Sequence, residues 1–266
     1  MDYRDAEMMA RFDALAARIT ERAEGRAILY VANSGNWGDG LIRAGTLSFL
    51  RHYKIAFTEF DARKMLKGAI DQRAVCRKVA DDRPFLIYGG GGALTPAYRK
   101  SEKVAALTQL YGGGIVLPST CAIPLGDMNL HPQTDLWIRD HRISQVNAPG
   151  AAFCHDMAFF LVAPRVPALR AKGVMMRTDL ERPENSQLPP GNFDLSVRGT
   201  HKSAVWPFFW RIGQYRRIVT NRLHIGIAAA LLGREVDLYG GNYSKIADIY
   251  DASIRERFAK VRFHDS

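Results

Sequence analysis

The chain has 266 residues, of which 47% are apolar and 24% charged, enough for a large core and unlike a disordered polypeptide. It holds no apolar run of about eighteen residues, which excludes a transmembrane helix. The start, Met1-Asp2-Tyr3-Arg4-Asp5, lacks an apolar signal core, so the expected location is the cytoplasm. A net charge of +10 points to anionic partners, and three scattered cysteines without metal spacing (Cys76, Cys121, Cys154) read as free thiols.

The first pattern is an amphipathic helix over 3–24, with Met8, Phe12, Leu15, Ala16 and Ile19 near one stripe and Gly25 ending it. Residues 26–32 form an expected buried strand, followed by a glycine-rich loop and a helix over 38–53. Strand 55–60, helix 64–80 and strand 84–88 come next, the last running into Gly89-Gly90-Gly91-Gly92. A helix over 101–111 precedes strand 115–117, which Pro118 is expected to stop, and 136–138 is another short strand. The stretch 178–203 carries Pro183, Pro189, Pro190 and Gly191 and reads as a long loop, either an insertion or a mobile lid. Strand 217–220, helix 222–232 and strand 235–239 resume the alternation. The expected fold class is therefore α/β with mostly parallel sheets, as two Rossmann-like domains facing a cleft. The boundary near Pro164 and Pro167 gives domains 1–165 and 166–266.

Ligands of parallel sheets sit at the carboxyl ends of the strands, and three such ends stand out. Asn33-Ser34-Gly35-Asn36-Trp37-Gly38-Asp39-Gly40 joins a strand to a helix. Its glycines suit close approach to an anion at the helix start, and Asp39 alternatively caps that helix. Gly89 to Gly92 suit close packing against a loop or ligand, or a turn with positive φ. In Thr220-Asn221-Arg222-Leu223-His224, Thr220 or Asn221 can cap the helix, and Arg222 and His224 fall at its positive end. Arginine supplies a planar fork for carboxylate or phosphate, and histidine a group that titrates near neutrality. The stretch from Leu195 to Arg234 contains no Asp or Glu, so positive charge concentrates there.

Together these segments resemble the polysaccharide pyruvyl transferase family. Asn33-Ser34-Gly35-Asn36-Trp37-Gly38-Asp39 is similar to its early Asn-x-Gly-Asn-x-Gly-Asp signature, and the glycines at 89–92 to its next turn. Arg139-Asp140-His141-Arg142-Ile143-Ser144 and His155-Asp156-Met157-Ala158-Phe159 resemble its middle patterns. The Arg222-Leu223-His224 block, with Gly233, Gly240-Gly241-Asn242-Tyr243 and Lys245 behind it, resembles its C-terminal block. Asn221 stands where many members carry Asp, and Pro118 to Ile123 replace a Gln-Ser-Ile-Gly type stretch.

The resemblance implies a glycosyltransferase-B-like fold, phosphoenolpyruvate as donor and a glycan acceptor, free or lipid-linked, that becomes a cyclic pyruvate ketal. No metal cluster is evident in the sequence, and no cofactor or nucleic acid partner is expected. Arg222, Arg139 and Arg177 are the expected donor-binding arginines. His224 is the expected general acid, and Asp39 a base or sugar-orienting group. Asn33, Gly35, Asn36, Gly38, Gly90, Gly91 and Asn221 complete the expected substrate contacts. Two other classes stay open: a glycosyltransferase using a nucleotide-sugar donor, and a non-catalytic binder of anionic glycan or nucleic acid. Residues 206–217 hold five aromatics beside three arginines. They read either as a core helix or as a peripheral contact with the inner membrane face.

Overall fold

The computed structural model describes residues 3–61, 65, 71–96, 100–179, 181–182, 187–241 and 244–265. The chain divides into two compact units. The N-terminal unit comprises Asp5–Ser34 and Thr46–Met157; the C-terminal unit comprises Met1–Arg4, Gly35–Gly45 and Ala158–Ser266. From Gly35 onward the glycine-rich loop after the first strand thus groups with the C-terminal half, which a single cut at 165/166 does not convey.

In the N-terminal unit, α1 (Ala6–Ala23) begins where the Asp5 carboxylate accepts the Met8 N–H at 2.8 Å. It ends where Glu24 and Gly25 turn left-handed, at φ 51° and 78°. Its inner stripe is Met8, Phe12, Leu15, Ala16 and Ile19, as the periodicity predicts. The sheet is built from β1 (Ile28–Ala32), β2 (Phe57–Asp61), β3 (Phe85–Tyr88), β4 (Gly91–Leu94), β5 (Gly114–Cys121), β6 (Thr134–Ile138) and β7 (Ala152–Phe153). Every pairing is parallel, in the order β2-β1-β3-β5-β6-β7, with β4 joined to β5 beyond the end of β3. β1 and β3 are central and buried on both faces, which is why both read as unbroken apolar runs. The helices α2 (Trp37–His52), α3 (Gln72–Val79), α4 (Ser101–Leu110) and α5 (Ile143–Asn147) form the crossovers. Leu29, Val31, Leu86, Val104, Leu107, Val116 and Ile138 meet in one core. Of the helix expected over 64–80, positions 64 and 66–70 lie outside the described residues.

Pro118 does not stop its strand: β5 runs through it to Cys121. The partners of β5 change there. β3 pairs as far as Val116, β4 begins at Ser119, and the β6 register shifts over the same interval. A residue without an N–H costs little where the ladder is already interrupted.

The C-terminal unit carries β8 (Arg170–Val174), β9 (Tyr215–Thr220), β10 (Glu235–Tyr239) and β11 (Val261–His264), parallel in the order β11-β10-β9-β8. The crossovers include α6 (Trp206–Gly213), α7 (Leu223–Leu231) and α8 (Lys245–Ile249). α7 is buried along almost its whole length, so its sequence shows little amphipathic contrast. The described part of 178–203 is tied to its own unit. The Asn192 side chain bonds both backbone polar groups of Met176, at 2.7 and 3.1 Å, and Asn36 forms a β-bridge with Thr200. Both sheets make the protein a Rossmann-like α/β fold. Among the described residues no helix is long and apolar enough to cross a membrane.

Candidate functional site

In the N-terminal sheet the chain leaves β1 toward β2 on one side and returns to β3 on the other. The carboxyl ends of β1 and β3 therefore flank a topological switch point, where such sheets bind ligands. Asn33, Ser34, Gly89 and Gly90 lie there. The buried Asn33 carboxamide oxygen accepts from the Tyr88 hydroxyl and the Lys100 ammonium, both at 3.3 Å. Lys100 also donates to the Ser34 carbonyl at 2.6 Å. The glycines are explained by packing: a Cβ on Gly89 would stand 2.8 Å from the Asn33 nitrogen, and one on Gly90 2.2 Å from the Pro118 carbonyl oxygen. Gly91, at φ 109°, opens β4, so both structural alternatives for this glycine run are realised.

Arg139 occupies the interior of the same unit, 1% exposed. Its guanidinium pairs with the buried Asp156 and donates to Thr120 Oγ1 at 2.9 Å. Next to it, Asp140 accepts from the backbone N–H and hydroxyl of Ser144, at 2.9 and 2.5 Å. The Ser144 hydroxyl oxygen in turn accepts the Cys121 N–H at 2.8 Å. The Arg139–Ser144 pattern thus knits β5, β6 and α5 together, and Arg139 takes an interior ion-pairing role.

In the C-terminal unit, the start of α2 is closed by a reciprocal cap. Asn36 Oδ1 accepts the Gly38 N–H at 2.8 Å, and the Asp39 carboxylate reaches back to the Asn36 N–H at 2.9 Å. Asp39 thus makes the capping contact that the sequence offered for it. The loop glycines make room for neighbours. A Cβ on Gly35 would overlap the Asp39 carboxylate, and one on Gly40 would stand 3.0 Å from the Thr200 carbonyl oxygen. The point a Gly38 Cβ would occupy is 3.0 Å from both Asn36 Oδ1 and His224 Nδ1. Gly35 and His201 are tied twice: the His201 N–H donates to the Gly35 carbonyl at 3.0 Å, and the Gly35 N–H to His201 Nδ1 at 3.4 Å. The early loop and His224 are thus adjacent.

At the ends of β8 and β9, the buried Arg222 guanidinium forks onto Asp194, Nε at 3.1 Å and Nη2 at 2.5 Å, and reaches Asp179 through Nη1 at 2.6 Å. Arg177 binds Asp179 at 3.0 Å and Glu181 at 2.5 Å, and Lys245 binds Glu181 at 3.0 Å. Three cations and three carboxylates form one balanced chain of charge. Burial alone would raise the Asp194 pKa, but the Arg222 fork and the Thr178 bonds bring it below the usual carboxylate range. Burial pulls Arg222 down, while Asp194 and Asp179 more than restore it, so it stays protonated. Asn221 does not cap α7; its side chain accepts the Arg177 N–H at 2.7 Å. Thr220 Oγ1 accepts the Arg222 N–H at 3.0 Å, and Arg222 itself is the N-cap residue.

The C-terminal unit therefore brings together Gly35, Asn36, Gly38, Asp39, Arg177, Asn221, Arg222 and His224. Asn33, Gly90, Gly91 and Arg139 belong to the other unit. The sequence reading missed Lys100, Asp179, Glu181, Asp194 and His201. Asp179 and Glu181 alternate after Arg177, a local hint. Asp194 meets Arg222 across 28 positions and His201 meets Gly35 across 166, separations that no local pattern reveals.

No family model and no curated protein matches the sequence. Among solved structures, the chain is similar to a functionally uncharacterised protein of Klebsiella pneumoniae. The identity is 22% and the TM-score 0.73, over 98% of this chain and all of that one. At that identity the likeness establishes the shared fold.

Proposed function

We propose that the protein is a polysaccharide pyruvyl transferase, moving the pyruvyl group of phosphoenolpyruvate onto two hydroxyls of one sugar in an exopolysaccharide or cell-surface glycan. One observation carries the reading. The Asn-x-Gly-Asn-x-Gly-Asp stretch from Gly35 onward and the Arg222-Leu223-His224 block, distant in sequence, belong to one unit, with Gly38 against the His224 ring. In the reaction His224 delivers a proton to the methylene carbon, making a methyl group, while a sugar hydroxyl adds to the adjacent carbon. A second hydroxyl then closes the ketal and phosphate leaves. Of the two hydroxyl protons released, one balances the proton given to carbon and the other leaves with phosphate. Asp39 serves as a positioning residue, holding the turn that backs His224.

Arg222 and Arg177 hold the donor's anionic groups in this reading. Because both are already paired, an incoming anion exchanges with a carboxylate. Asp179, at 26% side-chain exposure the most open of the three, is the one displaced. The test is to incubate the protein with phosphoenolpyruvate and candidate glycans, follow phosphate release and look for a ketal methyl signal by NMR. Phosphate release that depends on the glycan and matches the ketal formed supports the proposal. Turnover of a nucleotide sugar with phosphoenolpyruvate left intact overturns it.

A further inference from the structure

The outer face of α6 has a composition its packing does not require. Phe208, Phe209, Ile212 and Gly213 turn inward and are buried, so the helix has already spent one apolar face on the core. On the other side Trp206, Pro207 and Arg211 are exposed, with Trp210 half-buried beside them. Trp206 is 56% exposed and its ring stacks on Trp210, centroids 5.3 Å apart. Trp37, half-buried, packs beside the helix on its core side. That indole packs on Phe208 at 5.4 Å and donates to the Ala204 carbonyl at 3.0 Å, and Gly199 lies against it. Immediately before Gly199 stand the exposed Val197 and Arg198. No Asp or Glu occurs between Asp194 and Glu235, so neither α6 nor the turn before it contributes a negative charge.

We infer that this face docks onto an anionic phospholipid surface. The indoles enter the headgroup zone, where an apolar ring with a polar N–H is favoured, and Arg198 and Arg211 meet lipid phosphates. Charge complementarity selects this occupant over a neutral apolar partner. The inference is independent of the transferase reading, because α6's outer face contributes no residue to the site around His224.

The test uses the full chain with vesicles of phosphatidylglycerol mixed into phosphatidylcholine, some carrying bromine on the acyl chains near the headgroup. The expected result is co-sedimentation with the anionic vesicles, reversed at raised salt, and quenching of tryptophan fluorescence by the bromines. Trp206→Ala with Trp210→Ala should lower partitioning on the order of a hundredfold and abolish the quenching. Arg211→Gln should lower it about fivefold, the worth of one basic side chain near an anionic surface. Circular dichroism should stay unchanged, and the single variant Trp206→Ala, whose side chain is 56% exposed, should melt as the wild type does while partitioning about tenfold less. Three results would overturn the inference: wild-type protein indifferent to anionic vesicles at low salt, binding to heparin or single-stranded DNA but not to vesicles, or a double variant whose only change is loss of a dimer on gel filtration.

Discussion

Asp194→Asn is the substitution that most sharply probes how the Arg222 region is built. The carboxylate of Asp194 accepts Nε and Nη2 of Arg222, the N–H and hydroxyl of Thr178 at 2.8 and 3.0 Å, and the Ser196 N–H at 3.2 Å. Asparagine keeps the shape but turns donor hydrogens toward a guanidinium and removes a negative charge from a buried, neutral set. Breaking one side of a buried ion pair costs ~3–5 kcal/mol. Against a total stability of ~5–15 kcal/mol this is a large share, and for a chain of this size it predicts a melting temperature lower by about 10 °C. In urea the midpoint should fall by on the order of 2 M, followed by tryptophan emission. Paired with Arg222→Met in a double-mutant cycle, the two substitutions should be coupled by more than ~1 kcal/mol.

The pH dependence follows from the direction of the shift. Asp194 has a depressed pKa in the folded state, so its stabilisation is complete above the unfolded value of ~3.9. It is lost as pH falls through the lower, folded value. The gap between wild type and Asp194→Asn should therefore be constant from neutrality to about pH 5 and close only in stronger acid. A variant destabilised by less than ~1 kcal/mol, additive with Arg222→Met, would refute the view that this network is a buried, coupled unit.

Three further outcomes follow. Gly90→Ala places a methyl group 2.2 Å from the Pro118 carbonyl oxygen, so it should yield insoluble or strongly destabilised protein, checked by expression and melting. Of the three cysteines, the half-buried Cys76 should be the one that reacts with a thiol reagent in the native state. Cys121 and Cys154 are buried, with burial pushing the Cys121 thiol up to about 11 and that of Cys154 well above its ordinary value, so they should react only after denaturation. If Asp179 yields its place to the donor, Asp179→Asn should lower the KM for phosphoenolpyruvate, and a raised KM would contradict that exchange.

The sheets were legible because parallel strands buried on both faces read as apolar runs, as Ile28–Ala32 and Phe85–Tyr88 do. β8 and β11 escaped notice because Arg170-Ala171-Lys172-Gly173-Val174 and Val261-Arg262-Phe263-His264 lie at the edges of their sheet and carry charge. Pro118 misled because a proline forbids a ladder bond but not a strand whose partners change at that point. The sequence put Asn33, Gly89 and Asn221 directly after strands, and there the structure has them. What it concealed was occupancy: Arg222 and Arg139 look like open anion forks until Asp194 and Asp156 arrive from far along the chain. For Asp39 the capping role was visible in the sequence, and its bond to the Asn36 N–H realises it.

The most direct test of pyruvyl transfer through His224 is turnover of phosphoenolpyruvate and a glycan acceptor in deuterated water, read by mass spectrometry and NMR. Pyruvyl transfer through His224 places one deuterium in the ketal methyl group, with phosphate released in equal amount. A folded His224→Ala variant should have a rate ~10²–10⁴-fold lower. Phosphoenolpyruvate left unconsumed with every glycan, or a His224→Ala variant turning over at the wild-type rate, would contradict it.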